Sequence, residues 1–163
     1  MKPANQKLLL ISRDTLLKAL SGSSDKQQDT DSKQLLRNLA GLSRRGYHIL
    51  LTAPEPERWV PTRGNVDDAL NSQNTLMEET RAAGGELEGV YYVHRSLLTQ
   101  DRNREGALRD ILKRYSLDAG SATLISSSAP FLKAAERLGL TACEVALPGK
   151  SGDGLQLVLK KLD

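Results

Sequence analysis

Short apolar runs alternate with amphipathic segments along this chain of 163 residues. Each run is continuous and bounded by glycine or polar residues, which predicts buried β-strands. The runs lie at residues 8–11, 49–51, 90–93, 122–125 and 142–145. Strands separated by helices require right-handed crossovers, so the pattern predicts an α/β fold, a three-layer doubly wound sandwich with a mainly parallel five-stranded sheet. Functional residues are then expected at the carboxyl ends of the strands.

The segments between and after these strands carry apolar residues at three- and four-residue steps, which predicts helices. The residues are Leu35, Leu36, Leu39 and Leu42; Val66, Leu70 and Met77; Leu108, Ile111, Leu112 and Tyr115; Phe131, Leu132, Ala135 and Leu138; and Leu155, Val158, Leu159 and Leu162. Asp31 or Ser32 is the expected N-cap of the first helix, and Gly46 is its expected stop.

Two segments interrupt the alternation within what the length predicts to be a single domain over residues 1–163. Residues 21–31 are polar, so we expect a flexible surface loop there. Residues 53–64 are rich in proline and are longer than the usual connection, which indicates a binding loop or a partner contact. Trp59 is either the packed anchor of this segment or a recognition residue.

The composition excludes several classes of protein. Acids and bases nearly balance at a net charge of +3, which argues only weakly for an anionic partner. No apolar run approaches the ~18 residues of a membrane span, and the amino end lacks the apolar core of a secretory signal, so we expect a cytoplasmic protein without a membrane partner. Aromatic platforms and known nucleic-acid motifs are lacking, so no nucleic acid is expected. The single Cys143 is expected to be a buried, inert thiol.

The first strand and the polar turn after it resemble a phosphatase motif. Residues 8–16 read Leu-Leu-Leu-Ile-Ser-Arg-Asp-Thr-Leu. This resembles the opening strand of the haloacid dehalogenase superfamily, in which Asp-x-Asp-Gly-Thr follows and the first Asp forms a phospho-aspartyl intermediate. Here Ser12, Arg13, Asp14 and Thr15 take those slots, and the glycine between the last two is missing.

Other stretches are similar to the histidinol-phosphate and D,D-heptose bisphosphate phosphatases of that superfamily. They are residues 39–52, 63–64, 89–94, 102–108, 125–128 and 133–139. The resemblance makes Thr52 the phosphate-binding threonine, and it puts Arg102 in place of the phosphate-clamping lysine, with Gly106 matching a family glycine. Of the family's Cys-Pro-His segment only His94 is kept, so no zinc site is expected. The resemblance also implies that there is no large cap domain.

The departures from the family pattern remove carboxylates. Ser12, Ser127 and Phe131 stand where acids are expected, which leaves no adequate set of hard oxygens for Mg²⁺. Asp14 keeps the slot of the general acid but has no nucleophile to serve. The resemblance with these losses therefore implies a pseudophosphatase: no catalytic residue, no metal or other cofactor, and a binding, regulatory or structural role.

A phosphatase that hydrolyses a sugar- or small-metabolite phosphate monoester with Mg²⁺ is the alternative. Ser12 as a replacement nucleophile would need an adjacent base. His48 lies near the start of its strand, about 13 Å from the site at ~3.3 Å per residue, and is out of reach. His94 is at the correct end of its strand, but we expect that strand at the edge of the sheet.

Hydroxyls, backbone amides and one guanidinium would still form a cradle for an anion. The predicted anion-binding residues are Ser12, Thr52, Arg102, Ser126, Ser127 and Ser128. Arg102, Arg109 and Lys113 share one helical face, which either extends the basic surface or is simply solvated. A phosphorylated small molecule is the expected ligand, and a protein partner or a second copy of the chain is the expected macromolecular contact.

Overall fold

All the predicted strands form, and they make one parallel sheet. The computed structural model describes residues 7–20, 26–54, 63–94, 100–146 and 154–162, with only the backbone described at 26–32 and 63–70. The strands are β1 (Lys7–Ser12), β2 (Tyr47–Pro54), β3 (Val90–Val93), β4 (Ala122–Ser126) and β5 (Thr141–Glu144). They are ordered β3-β2-β1-β4-β5, and every neighbouring pair is parallel. The predicted five-stranded sheet is confirmed, with β3 at its edge.

Helices cover both faces of this sheet. They are α1 (Arg13–Leu20), α2 (Lys26–Arg44), α3 (Arg63–Ala82), α4 (Gln100–Tyr115), α5 (Ala129–Leu138) and α6 (Leu155–Leu162). The central strand β1 sends Leu9 and Ile11 into the core beneath α1, α2, α3 and α6, and Leu8 and Leu10 into the core beneath α4 and α5. All of these side chains are fully buried, as expected of a parallel strand covered on both faces. The three-layer sandwich is confirmed.

The chain after β1 is helical where a loop was predicted. Because α2 begins at Lys26, the predicted loop over residues 21–31 is wrong for residues 26–31, and residues 21–25 lie outside the described part. Asp31 and Ser32 lie inside α2, so neither is its N-cap. Residues 26–40 contain neither glycine nor proline, and lysine and glutamine favour helices, so α2 extends well beyond its first apolar residue, Leu35.

The structure also tests the predicted end of α2 and the two ends of the proline-rich segment. Gly46 follows the end of α2 with φ at 97°, a left-handed conformation that favours glycine, so the predicted stop is confirmed. Ala53 and Pro54 complete β2, while Arg63 begins α3. The rest of the predicted substrate loop, including Trp59, lies outside the described residues. No helix in the described ranges combines the length and the apolar character that crossing a membrane requires.

Candidate anion-binding site

The carboxyl ends of adjacent strands meet at one cavity. The register pairs Ser12 with Thr52 and Ile11 with Ile125. Ser12 and Ser126 therefore end β1 and β4 side by side, and Thr52 lies beside Ser12, two residues before the end of β2. The cavity above them has a volume of about 280 Å³. It is lined by Ser12, Asp14, Thr15, Lys18, Thr52, Ala53, Pro54, Val93, Gln100, Arg104, Ser126, Ser127, Ser128 and Phe131. The register of a parallel sheet therefore brings together the polar residues that end its strands.

Ser126 is the centre of a hydrogen-bond network on the floor of the cavity. Ser126 is buried, with only 1% of its surface exposed. Ser12 Oγ donates to Ser126 Oγ at 2.8 Å, and the backbone N–H of Ser128 donates to the same oxygen at 3.0 Å. Since both bonds use Ser126 Oγ as the acceptor, its own proton is left to be donated, and no acceptor for it is found among the described residues.

A second pair of hydroxyls fastens α1 to the loop that precedes α5. Thr15 Oγ1 and Ser127 Oγ lie 3.2 Å apart, and the backbone N–H of Ser127 donates to Thr15 Oγ1 at 3.3 Å. Thr15 is buried in the first turns of α1. These bonds hold the residues after β4 against the start of α1, so the cavity has a fixed wall on this side. Thr15 was predicted only as one position of the phosphatase-like motif, because the helix that positions its side chain was not predicted.

Thr52 carries a buried hydroxyl that lacks a partner. The residue is 2% exposed and lines the cavity. Within the described ranges, nothing hydrogen-bonds its Oγ1 atom. Asn38 and Asn103 each also have an unpaired buried side-chain nitrogen in those ranges, but neither residue lines the cavity. An unsatisfied buried hydroxyl is costly, so its presence in a cavity wall points to a ligand that supplies the missing bond.

The arginine in the cavity wall is not the one that the sequence indicated. Arg102 is exposed and is not among the lining residues, whereas Arg104 lines the cavity. Arg104 Nη1 donates to Asp101 Oδ1 at 2.9 Å, which holds its guanidinium on α4. Two residues along a helix correspond to a rotation of about 200°, so Arg102 and Arg104 face nearly opposite directions. The resemblance to the motif could not predict which of the two arginines faces the cavity, because that depends on where α4 begins.

The remaining charges at the cavity come from α1. Lys18 is exposed and lines the cavity opening. Asp14 also lines it, but its side chain is 55% exposed and lies 3.4 Å from the Nε atom of Arg13. Arg13 itself turns towards α3, where Nη1 donates to Gln73 Oε1 at 3.2 Å. Arg13 therefore partly neutralises the carboxylate of Asp14. The sequence did not predict Lys18 as a lining residue, because it did not predict α1.

Neither histidine supplies a base to Ser12. His48 lies at the opposite end of the sheet, where its Nδ1 is 2.7 Å from Glu88 Oε2, and it does not line the cavity. Tyr115 donates to the same carboxylate at 3.1 Å, and its burial and the nearby charge of Glu88 raise the pKa of Tyr115 to about 12. His94 follows the edge strand and also lies outside the cavity lining formed by the described residues.

Several solved structures with a similar arrangement of strands and helices are named as phosphatases or related hydrolases. D,D-heptose 1,7-bisphosphate phosphatase from B. bronchiseptica, solved with magnesium and phosphate, is similar with a TM-score of 0.63 and 17% identity, over 96% of this chain and 98% of that one. The chain has a haloacid dehalogenase-like fold. The phosphatase of the same name from Burkholderia thailandensis has a TM-score of 0.58 and 17% identity, with coverages of 96% and 98%. A haloacid dehalogenase-like hydrolase from Streptococcus pneumoniae has a TM-score of 0.51 and 11% identity, with coverages of 94% and 90%. No protein-family model matches the chain, and no curated protein matches it significantly in sequence.

The donor set does not fit the magnesium ion that a haloacid dehalogenase-like fold would otherwise imply. Asp14 is the one carboxylate among the described lining residues, and it already lies beside Arg13. Phe131, 7% exposed, puts an apolar ring into the cavity wall where the resemblance expects an acid. The part of the chain that the structure describes contains no cluster of histidine, cysteine, aspartate and glutamate suited to a metal. Neutral hydroxyls alone are poor ligands for Mg²⁺, which prefers carboxylates and water.

Proposed function

We propose that this haloacid dehalogenase-like protein binds a small phosphorylated ligand without hydrolysing it, and that binding needs no metal ion. The observation that carries the proposal is the buried Oγ1 of Thr52, which has no partner among the described residues and belongs to the cavity wall. A phosphate oxygen accepts hydrogen bonds readily, and a bond between a hydroxyl and a charged oxygen is stronger than a neutral one. Phosphate would therefore satisfy a group that the protein leaves unsatisfied.

Further donors and positive charge surround this hydroxyl. Ser126 Oγ accepts two bonds and has its own proton left to donate. Among the described lining residues, Lys18 and Arg104 add cationic groups, the second of them paired with Asp101, against one carboxylate, that of Asp14. The first turn of α5 follows Ser128 directly, and the amino end of a helix favours an anion. These features together support an anion rather than a neutral ligand.

The side chains also support the absence of hydrolysis. A serine attacks phosphorus only when a base takes its proton, and the proton of Ser12 is directed to Ser126 Oγ. Phosphoryl transfer further requires that the charge on the transferred group be neutralised, commonly by a metal ion. Since the lining does not fit a metal, the cavity can hold a phosphate but lacks the groups that would transfer it.

Isothermal titration with inorganic phosphate in buffer containing EDTA tests the binding. We expect the wild-type protein to bind, and we expect Thr52→Val to weaken binding by at least about tenfold, since a hydrogen bond to a charged group contributes about 1.5–3 kcal/mol. Thr80→Val is the matched control, because Thr80 is equally buried but donates to Leu76 O inside α3. Its affinity for phosphate should be unchanged. Absence of binding by the wild-type protein would refute the proposal.

Hydrolysis of an aryl phosphate with and without Mg²⁺ tests the inactivity. We expect no turnover above the blank. Magnesium-stimulated turnover that Ser12→Ala abolishes would overturn the proposal, and it would establish the alternative, a phosphatase acting on a sugar- or small-metabolite phosphate monoester. A cytoplasmic location and a protein partner or second copy stay predictions.

A further inference from the structure

We propose that the ligand of this cavity is a phosphate monoester whose organic part is apolar, such as an aryl ester, rather than a sugar phosphate. The inference rests on the proposed function and narrows it to one class of ligand. It follows from the way in which the sheet divides the cavity into a hydroxyl half and an apolar half.

The hydroxyl half lies over β1 and β4. Ser12 ends β1, Ser126 ends β4, and Ser127 and Ser128 follow Ser126 towards α5. The bonds between these hydroxyls and the Ser128 amide fix their positions. Thr52, which the register places beside Ser12, brings its unpartnered Oγ1 to the same half. The phosphate group belongs here.

The apolar half lies over β2 and β3. Ala53 and Pro54 end β2, and the register pairs Pro54 with Val93 on β3. Phe131 lines the cavity from α5, which packs against α4, β4 and β5, and it belongs to the same apolar cluster as Val93. Ala53, Val93 and Phe131 are nearly fully buried, so what they offer a ligand is hydrocarbon surface. A hydroxylated sugar placed against this surface would lose hydrogen bonds to water without replacing them.

The volume leaves room for an organic part. At ~30 Å³ for each water, a cavity of about 280 Å³ holds roughly nine waters, and a phosphate group displaces only a few of these. The rest of the space is bounded on one side by the apolar half. The other described lining residues include Lys18 on α1 and Arg104 on α4, which add positive charge to the cavity. A ligand that fills the cavity therefore needs an anionic head and an apolar body.

Isothermal titration of the full chain in EDTA with inorganic phosphate, phenyl phosphate and glycerol 3-phosphate tests the inference. We expect phenyl phosphate to bind at least tenfold more tightly than inorganic phosphate, and glycerol 3-phosphate to bind within about threefold of it. A tenfold gain is about 1.4 kcal/mol, which requires only about 55 Å² of ring surface to leave water.

Val93→Thr tests the wall, because it replaces a methyl group by a hydroxyl of similar size. We expect this change to reduce the preference for phenyl phosphate over inorganic phosphate to about threefold or less. Val90→Thr, on the same strand but outside the cavity lining, is the matched control and should keep the preference. Pro54→Ser, at an exposed position of the wall, serves the same purpose if Val93→Thr does not fold.

The outcomes separate this inference from the proposed function. If inorganic phosphate binds but glycerol 3-phosphate binds as tightly as phenyl phosphate, the apolar specificity is wrong and the anion site stands. If Val90→Thr lowers the preference as much as Val93→Thr does, the wall is not its origin and the inference is overturned. If none of the three anions binds, both proposals fall.

Discussion

Replacing Thr52 by valine should stabilise the protein in the absence of ligand. Valine keeps the shape of threonine but lacks its hydroxyl, and Thr52 is 2% exposed with no partner for Oγ1 among the described residues. Burying an unsatisfied polar group costs about 1–3 kcal/mol. Part of that cost is recovered on substitution, so we expect the free energy of unfolding of Thr52→Val to rise by about 1 kcal/mol. For a domain of this length, that corresponds to an increase in Tm of about 2–4 °C.

Thr80→Val provides the opposite case with the same change of atoms. Thr80 is 0% exposed, and its Oγ1 donates to the backbone carbonyl of Leu76 at 2.8 Å. Removing a satisfied hydrogen bond costs about 0.5–1.5 kcal/mol. The same substitution should therefore stabilise the protein at position 52 and destabilise it at position 80, which separates the effect of the hydroxyl's partner from that of the exchange itself.

Urea unfolding followed by far-ultraviolet circular dichroism measures both differences. If Thr52→Val lowers the free energy of unfolding as Thr80→Val does, the Thr52 hydroxyl has a partner and the reasoning is refuted. Added phosphate should raise the Tm of the wild-type protein and of Thr80→Val, since a ligand that binds the native state stabilises it. It should raise the Tm of Thr52→Val by a smaller amount at the same phosphate concentration. If Thr52→Val raises the free energy of unfolding and lowers the affinity for phosphate, Thr52 is a binding residue.

Other predictions follow from the contacts of single residues. Arg104→Ala should weaken phosphate binding about three- to tenfold in isothermal titration, whereas Arg102→Ala, at an exposed position outside the cavity, should not change it. Ser126→Ala leaves two donors without their acceptor, so its free energy of unfolding should fall by about 1–3 kcal/mol in urea unfolding; an unchanged value would contradict the network. Burial and Glu88 raise the pKa of Tyr115 from 10.0 to about 12, so the folded state holds the phenol proton more tightly. The resulting stability is complete below pH 10 and is lost towards pH 12, and Tyr115→Phe should flatten that part of the curve of stability against pH.

The strands could be predicted because they lie in a sheet covered on both faces. Leu8 to Ile11 are all fully buried, so the sequence of β1 is an unbroken apolar run. The first helix could not be predicted in the same way. Its buried residues are Thr15 and Leu16, which is too little periodicity to distinguish a short helix from a turn. The amino end of α2 was missed for a related reason, because its first residues are polar and only their helical propensity indicates a helix.

The floor of the candidate site could be predicted further than its walls. Ser12 and Ser126 each end a strand and Thr52 lies near the end of another, and parallel strands bring their carboxyl ends together whatever the details of the connections. Residues on helices depend on helical phase as well. For that reason the sequence predicted Arg102 in the cavity, whereas the structure has Arg104 there. Lys18 was not predicted as a lining residue because α1 was not predicted. Strand ends are fixed by register, whereas helix faces require the exact start of the helix.

The uncharged residues that stand where the phosphatase resemblance expects acids are physically consistent only when they are taken together. Carboxylates around a phosphate repel it unless a cation lies between them, and a cation is held only while enough carboxylates remain. Removing one acid would weaken the metal and leave the others to oppose the anion. Ser12, Ser127 and Phe131 are all uncharged, and the remaining Asp14 is 55% exposed beside Arg13, where water and the guanidinium weaken its field. A cavity with this lining lacks both the metal ligands and the repulsion, which favours the proposal that it accepts a phosphate without the ion that phosphoryl transfer requires.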